Sequence, residues 1–277
     1  MSTDSKTVDT SNPGPRPWRL EEITLGDVRD LDCQVAVLPM GATEPHNLHL
    51  PYGTDSYEGW HIADRCCEKA TELGAKVLQL PVVPYGTETN MREFPLAINL
   101  QPSTLNVVLQ DIVDSLEQSG IRKLVILNSH GGNDFKPFLR EMYGQTDVQL
   151  FLCNWYQMIQ DVAEKICEHR EDHAGEMETS LIMMFRPGLV KYQIEGRLAA
   201  DAGDRTPLRF EALRNGWVGL SRPWHLLTTN SGSGNPHEAS SEKGQQILDA
   251  IVGRVAPFLA ELSEAEIDDH FPFVSEQ

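Results

Sequence analysis

The sequence predicts an α/β fold with three layers, α/β/α, in which helices cover both faces of a mostly parallel sheet. Short apolar runs rich in β-branched residues alternate with longer amphipathic runs along the chain. Such alternation is typical of strands joined by crossover helices, which makes the strands parallel. The chain has 277 residues, enough for one large core, and its sequence shows neither internal repeats nor linkers. We therefore expect one domain over residues 17–277, after a polar, disordered tail over residues 1–16.

The predicted strands and helices follow one another in order. Strands are expected at the apolar runs 34–38, 76–83, 123–128 and 148–154. Helices are expected at the amphipathic runs 56–73, 103–119, 135–143, 158–169, 179–185 and 244–262, with Ser103 as an N-cap. In sheets of this kind, ligands bind beyond the carboxyl ends of the strands. Polar residues that directly follow a strand are therefore the candidates for a functional site.

The composition of the chain limits its partners. A net charge of −18 argues against nucleic acid and against anionic membranes. No apolar run reaches the length of a membrane span, and the first sixteen residues lack the apolar core of a signal peptide. The five cysteines are scattered, which favours neither a disulfide framework nor a zinc ribbon. We therefore expect a reduced, cytoplasmic protein that binds neither nucleic acid nor a membrane.

The segment GATEPHNLHLPYGTD, from residue 41 to residue 55, directly follows the first predicted strand. It carries Glu44, His46 and Asp55 on a loop stiffened by glycines and prolines. If the chain is locally extended, Glu44 and His46 project from the same side, and carboxylates and imidazoles are ligands for divalent metals. The alternative is that these are ordinary surface residues and that Asp55 caps the following helix.

The segment NSHGGND, from residue 128 to residue 134, follows the third predicted strand. Gly131 and Gly132 allow the backbone to turn beside His130 and to approach a ligand closely, and their amides could bind an anion. The alternative is a plain turn from strand to helix, with Asn133 or Asp134 as the N-cap.

The segment HAGEMETS, from residue 173 to residue 180, places a histidine and two glutamates ahead of an apolar helix. Glutamates at a helix N-terminus are favoured by the helix dipole, which accounts for Glu176 or Glu178 without any function. The dipole does not account for His173, because a cation is disfavoured at that end of a helix.

Together these three segments resemble the creatininase (creatinine amidohydrolase) family. The family patterns are similar to G-x-x-E-Q-H-G-x-H-L-P-x-x-T-D, N-x-H-G-G-N and H-A-G-x-x-E-T-S, in this order. The later segment SGSGNPHEASSEKG resembles the family's G-x-P-x-x-A-x-x-E-K-G element before the last helix. The resemblance implies a creatininase-like α/β amidohydrolase that forms homohexamers. It also implies two divalent metal ions per chain, most often zinc and sometimes manganese or iron.

The resemblance also implies a ligand set by matching position: Glu44, His46, Asp55, His130 and a glutamate, with Asp55 bridging the metals. In the creatinine-hydrolysing enzymes, that glutamate lies two residues after the histidine that matches His130. Gly132 stands there in this chain and cannot ligate a metal. Relatives with the H-G-G-N pattern use the glutamate of the E-T-S element instead, so the resemblance implies Glu178 as the fifth ligand, with Glu176 in reserve. The same departure argues against creatinine as the substrate.

We hypothesise that the chain hydrolyses the C–N bond of a cyclic or linear amide, or of a formamide. The attacking hydroxide would come from a water held between the two metals. His173 is the expected general acid and base, because imidazole titrates near neutrality, and Glu176 would assist it. The residues expected to contact the substrate are Asn133, Gly131, Gly132 and Trp155, although core packing explains Trp155 equally well.

Two other functions are compatible with the same residues. Phosphoester hydrolysis would require basic groups near the metals, and only Lys136 and Arg92 are candidates. The second alternative is a catalytically inactive, metal-stabilised oligomer that binds a small molecule. Substitution of His130 distinguishes an enzyme from this inactive oligomer. It abolishes activity in an enzyme but chiefly lowers the melting temperature of a metal-stabilised scaffold.

Overall fold

A computed structural model describes residues 14–170 and 172–274 of the chain. Residues 1–13, which make up most of the predicted disordered tail, lie outside the described residues. Both the tail and the limits of the predicted domain therefore stay predictions.

The centre of the fold is a sheet of four parallel strands in the order β2-β1-β3-β4. The strands are β1 (Val35–Met40), β2 (Val77–Gln79), β3 (Lys123–Asn128) and β4 (Gln149–Asn154). All four were predicted. Strand β2 is shorter than the predicted run 76–83, because Pro81 has no amide hydrogen with which to extend the ladder.

The helices fall mainly between the strands or after the last of them. In chain order they are α1 (Leu25–Arg29), α2 (Thr54–Glu72), α3 (Pro102–Gln118), α4 (Lys136–Met142), α5 (Trp155–Met158), α6 (Gln160–Ile166), α7 (Glu176–Phe185), α8 (Glu211–Arg214), α9 (Trp224–Leu227) and α10 (Ser241–Glu264). Within residues 14–170 and 172–274, none of them is long and apolar enough to cross a lipid bilayer.

Two details of the helix prediction were wrong. The predicted helix 158–169 is shorter at both ends and corresponds to α6, Gln160–Ile166. It is separated from α5, which ends at Met158, because Ile159 leaves the helical conformation (φ −103°, ψ 13°) and its buried side chain packs into the core. The predicted N-cap Ser103 lies inside α3. That helix begins at Pro102, whose missing amide hydrogen costs nothing in the first turn, so that Gln101 is the N-cap.

The apolar core lies on both faces of the sheet. Side chains of a strand alternate between the faces, so Val35 and Val37 pack against α2, α7 and α10, whereas Ala36 and Leu38 pack against α3 and α4. Strand β3 repeats this alternation. The three-layer α/β/α class predicted from the sequence is therefore confirmed.

This architecture brings the strand-end loops together at one edge of the sheet. The loop after β1 passes so close to α2 that a Cβ atom on Gly41 would lie 2.6 Å from the Ser56 hydroxyl oxygen. Glycine is required there by this close approach. As a result, the residues after β1, those after β3 and the first turn of α2 share one buried region.

Candidate metal centre

Buried carboxylates and imidazoles converge beyond the carboxyl ends of β1 and β3. Glu44 and His46 come from the loop after β1, and His130 follows β3. Asp55 lies in the first turn of α2, whose N-cap is Gly53, so Asp55 is not the cap that the alternative required. Glu178 reaches the same region from the first turn of α7. The five residues implied as ligands therefore lie together.

The two oxygens of Asp55 face two different histidines. Oδ1 lies 2.9 Å from His46 Nε2, and Oδ2 lies 3.1 Å from His130 Nδ1. Asp55 thereby belongs to two sets of potential ligands, one with Glu44 and His130 and the other with His46 and Glu178. The ligand atoms within each set lie within 4.8 Å of one another. A carboxylate shared in this way fits two cations held side by side.

The hydrogen bonds of His46 fix which ring nitrogen faces the centre. Nδ1 donates to the main-chain carbonyl of Glu44, at 3.1 Å. Nε2 is thereby directed toward Asp55 and lies 3.8 Å from Glu178 Oε2. Anchoring one nitrogen on a carbonyl while the other points at carboxylates is the usual arrangement of a metal-ligating histidine.

Buried oxygen atoms without hydrogen bonds test whether these residues fit a metal. Among the described residues, Glu44 Oε1 and Asp55 Oδ2 are buried and accept no hydrogen bond, although His130 Nδ1 lies 3.0 Å and 3.1 Å from them. A single ring nitrogen cannot satisfy both oxygens. Buried polar atoms normally have partners, so the donor set fits divalent cations.

The pKa values follow from this crowding of charge. Burial lowers the pKa of His46, but the neighbouring Asp55 outweighs it and raises that pKa to about 10. Burial, assisted by Asp55, raises the pKa of Glu178 to about 7 even though His46 opposes the shift. Burial opposes ionisation of Asp55 as well, yet His46 and His130 hold its pKa well below the usual range. Asp55 is therefore the carboxylate that stays ionised.

His173 lies above this group with one nitrogen fixed. Its Nε2 donates to the carbonyl of Pro45, at 2.8 Å, and its Nδ1 lies 3.6 Å from Glu44 Oε1. The ring packs against His46 at 4.1 Å and against the edge of Trp224 at 5.3 Å between ring centroids. Burial, together with the charge on His46, holds the pKa of His173 well below its usual range. The ring is therefore neutral, with Nδ1 as an acceptor.

The structure places Glu176 away from the centre, contrary to the expectation that it assists catalysis or replaces Glu178. Its carboxylate is fully buried and lies 2.5 Å from Lys243 Nζ. The other oxygen accepts from the amides of Glu168 and His169, at 2.8 and 3.1 Å. Glu176 thus joins α7 to α10 and to the loop after α6.

Two residues expected to contact the substrate have internal roles instead. Trp155 is only 1% exposed and donates to the Ser129 hydroxyl at 2.8 Å, as part of the core. Asn133 accepts from the amide of Thr87 at 3.0 Å and donates to Asn128 Oδ1 at 3.1 Å, which ties two loops together. Neither lines the cavities beside the centre.

Two connected cavities open over the centre. The inner one, of about 120 Å³, lies over the candidate ligands and is also lined by Gly131, Gly132 and His173. It shares Ser129, Gly131, Asp172 and Glu178 with a larger cavity of about 430 Å³. The far wall of the larger cavity comes from α5 and α6 and includes Tyr156, Gln157 and Gln160.

Other residues of this region are not among the predicted site residues. Arg222 and Trp224 line the inner cavity, and Glu88 lies beside His130. The Trp- and Gly-rich run 217–224 was a signal for the first two. Glu88 stands in an irregular loop whose sequence carries no recognisable metal-site spacing.

Comparison with known proteins identifies relatives over most of the chain. A family model described as creatinine amidohydrolase matches residues 21–259. A creatinine amidohydrolase of Pseudomonas putida is 28% identical over 83% of this chain and 90% of its own length. A mycofactocin precursor peptide peptidase of Mycobacterium ulcerans is 27% identical over 79% of this chain and 84% of its own length.

Solved structures share the fold. A Bacteroides fragilis protein provisionally named creatinine amidohydrolase superposes with a TM-score of 0.83 at 35% identity, covering 91% of this chain and 98% of the other. Creatininase structures at 23% identity superpose with TM-scores of 0.68 for a manganese form and 0.71 for a Zn-Zn form. Each covers 90% of this chain and 100% of the other.

Proposed function

The chain belongs to the creatininase family of amidohydrolases, and we propose that it hydrolyses a C–N bond of a small polar amide with two divalent metal ions. Zinc is the first candidate, with manganese and iron as alternatives, because the donor set mixes imidazoles and carboxylates. A homohexamer in the cytoplasm, expected from the resemblance and from the cysteines, belongs to the same proposal.

The observation that carries this proposal is the position of Asp55 between two ligand sets. Glu44 and His130 lie on the side of one Asp55 oxygen, and His46 and Glu178 lie on the side of the other. The first set would hold one metal and the second set the other, and Asp55 would contribute to both. This assignment chooses Glu178 over Glu176 as the fifth ligand.

Bound divalent ions supply Lewis acidity, which acidifies water and stabilises the negative charge that develops on an amide oxygen. His173 moves the proton. Its Nε2–H is held by the carbonyl of Pro45, so Nδ1 accepts the proton that the attacking water loses. The protonated ring then gives that proton to the leaving nitrogen.

The cavities define the class of substrate. The scissile amide lies in the inner cavity, beside Gly131 and Gly132, and the rest of the molecule occupies the larger cavity. That cavity of about 430 Å³ offers two glutamine amides and the Tyr156 hydroxyl as hydrogen-bonding groups. We therefore propose a polar cyclic amide, linear amide or formamide that is larger than creatinine.

The test compares the wild type with Asp55→Asn and with the control Asp114→Asn, a matched change on the exposed side of α3. Each protein is loaded with zinc or manganese, analysed for bound metal, and assayed against creatinine, larger cyclic amides, formamides and short peptides. We expect about two ions per chain in the wild type and in the control. In Asp55→Asn, loss of metal should accompany loss of hydrolysis by at least about a thousandfold.

Two results would contradict the proposal. Fewer than one ion per wild-type chain, with neither zinc nor manganese retained, would show that the chain does not hold a two-metal centre. Two bound ions that raise the melting temperature, without hydrolysis of any amide in the panel, would favour the inactive small-molecule binder.

A further inference from the structure

Glu88 is a buried carboxylate that lies beside one of the proposed ligands, His130, without belonging to either ligand set. Its side chain is 1% exposed, and its Oε1 lies 2.8 Å from His130 Nε2. The other nitrogen of the same ring, Nδ1, faces Glu44 and Asp55 at 3.0 and 3.1 Å. Glu88 belongs to none of the three groups of potential ligands found among the described residues. It meets the centre at the far side of the His130 ring.

The loop that carries Glu88 is held in place by hydrogen bonds. The amide of Glu88 donates to Asn99 Oδ1 at 2.7 Å, and the amide of Thr87 donates to Asn133 Oδ1 at 3.0 Å. The carbonyl of Thr87 accepts from His130 Nε2 at 3.2 Å. The Nε2 hydrogen bond goes to this carbonyl, and Glu88 Oε1, a buried oxygen without a hydrogen bond of its own, lies 2.8 Å from the same nitrogen. Since a carbonyl oxygen can only accept, Nε2 carries a proton.

Gly132 is what allows this loop to reach His130. A Cβ atom at that position would lie 2.2 Å from His130 Nε2 and 2.4 Å from the Thr87 carbonyl oxygen. Any side chain at residue 132 would therefore displace either the ring or the loop. In this chain, the space at that position is taken by the His130 ring and the Thr87 carbonyl.

We propose that Glu88 is a positioning residue that holds His130 with its proton on Nε2 and its lone pair on Nδ1, directed at the metal shared with Glu44 and Asp55. A carboxylate behind a ligating imidazole fixes the orientation of the ring and increases its basicity as a ligand. This inference rests on the proposed function, because it requires that a metal bind between Glu44, Asp55 and His130.

The test measures zinc binding to the metal-depleted full chain, in competition with a chelator of known affinity. Glu88→Gln is compared with the wild type and with Glu93→Gln, an exposed residue of the same loop that undergoes the same change of charge. We expect Glu88→Gln to weaken one of two zinc equivalents by about 10- to 100-fold. Glu93→Gln should bind both like the wild type.

Thermal melting separates positioning from a structural role. A positioning residue leaves the melting temperature of the metal-free protein unchanged and reduces the rise that zinc produces. If Glu88→Gln instead lowers the melting temperature of the metal-free protein and binds both zinc equivalents normally, the positioning role is overturned.

A second measurement needs no variant at Glu88. In the zinc-loaded wild type, ¹⁵N NMR of the histidines, assigned with His130→Asn, should show His130 protonated at Nε2 and not at Nδ1. A proton on Nδ1 would overturn the inference. A wild type without bound zinc would overturn the proposed function as well, whereas normal zinc binding by Glu88→Gln would overturn this inference alone.

Discussion

Replacing Lys243 by Met tests whether Glu176 is structural rather than catalytic. The change leaves a fully buried carboxylate with two amide donors, those of Glu168 and His169, and without its cation. Lys243 itself keeps 20% of its side chain exposed, so some water can replace the lost ammonium. The cost should therefore be lower than the roughly 3–5 kcal/mol of breaking a fully buried pair, and we expect about 2–4 kcal/mol.

The companion change Glu176→Gln keeps the volume and one acceptor oxygen. It should cost about 1–3 kcal/mol, the range for a hydrogen bond that loses its charge. In the double variant no buried charge remains uncompensated. The sum of the losses in unfolding free energy of the two single variants should therefore exceed the loss in the double variant by about 1–3 kcal/mol.

The assay is urea unfolding of the metal-loaded proteins, with kcat measured on whichever amide the chain hydrolyses. Lys69→Met, which breaks an exposed pair with Glu72, is the control and should leave the unfolding midpoint unchanged. We expect kcat of Glu176→Gln to stay within about tenfold of wild type, because a general acid or base contributes about a hundredfold or more. A hundredfold loss of kcat with unchanged stability would refute this account of Glu176.

Two further predictions concern the metal centre. Gly132→Ala should reduce zinc affinity by at least about tenfold, because its Cβ would collide with His130 and Thr87. Gly131→Ala, whose Cβ would meet nothing within 4 Å, should bind zinc like the wild type. Equal zinc affinities of Gly132→Ala and Gly131→Ala in a chelator titration would contradict this prediction. Zinc binding should also release protons, since the pKa values of about 10 for His46 and about 7 for Glu178 leave both protonated wholly or in part near neutral pH. The zinc affinity should therefore fall as the pH is lowered from about 8 to about 6. Calorimetry in buffers of different ionisation enthalpy should detect the released protons. Zinc binding without proton release would contradict these protonation states.

The sheet was predictable because its strands carry their own signal. Strand β3 begins and ends at the predicted residues, Lys123 and Asn128, since its apolar run is bounded by polar and turn-forming residues. The break at Ile159 was not predictable. The amphipathic pattern continues through it, and only packing of that side chain in the core interrupts the helix.

The site was predictable where its residues follow strands in short motifs, as Glu44 and His130 do. The resemblance already favoured Glu178 over Glu176 as the fifth ligand. Residues two apart on a helix point about 200° apart around its axis, and it is the Glu178 side chain that lies with His46 and Asp55. Glu88 was missed because it reaches His130 through tertiary contacts between loops that are distant in sequence.

Two metals are proposed to share Asp55. Anomalous diffraction from crystals of the zinc-loaded protein tests this arrangement directly. We expect two zinc peaks on opposite sides of the Asp55 carboxylate, one beside Glu44 and His130 and the other beside His46 and Glu178. A single peak, or peaks that do not contact Asp55, would contradict it.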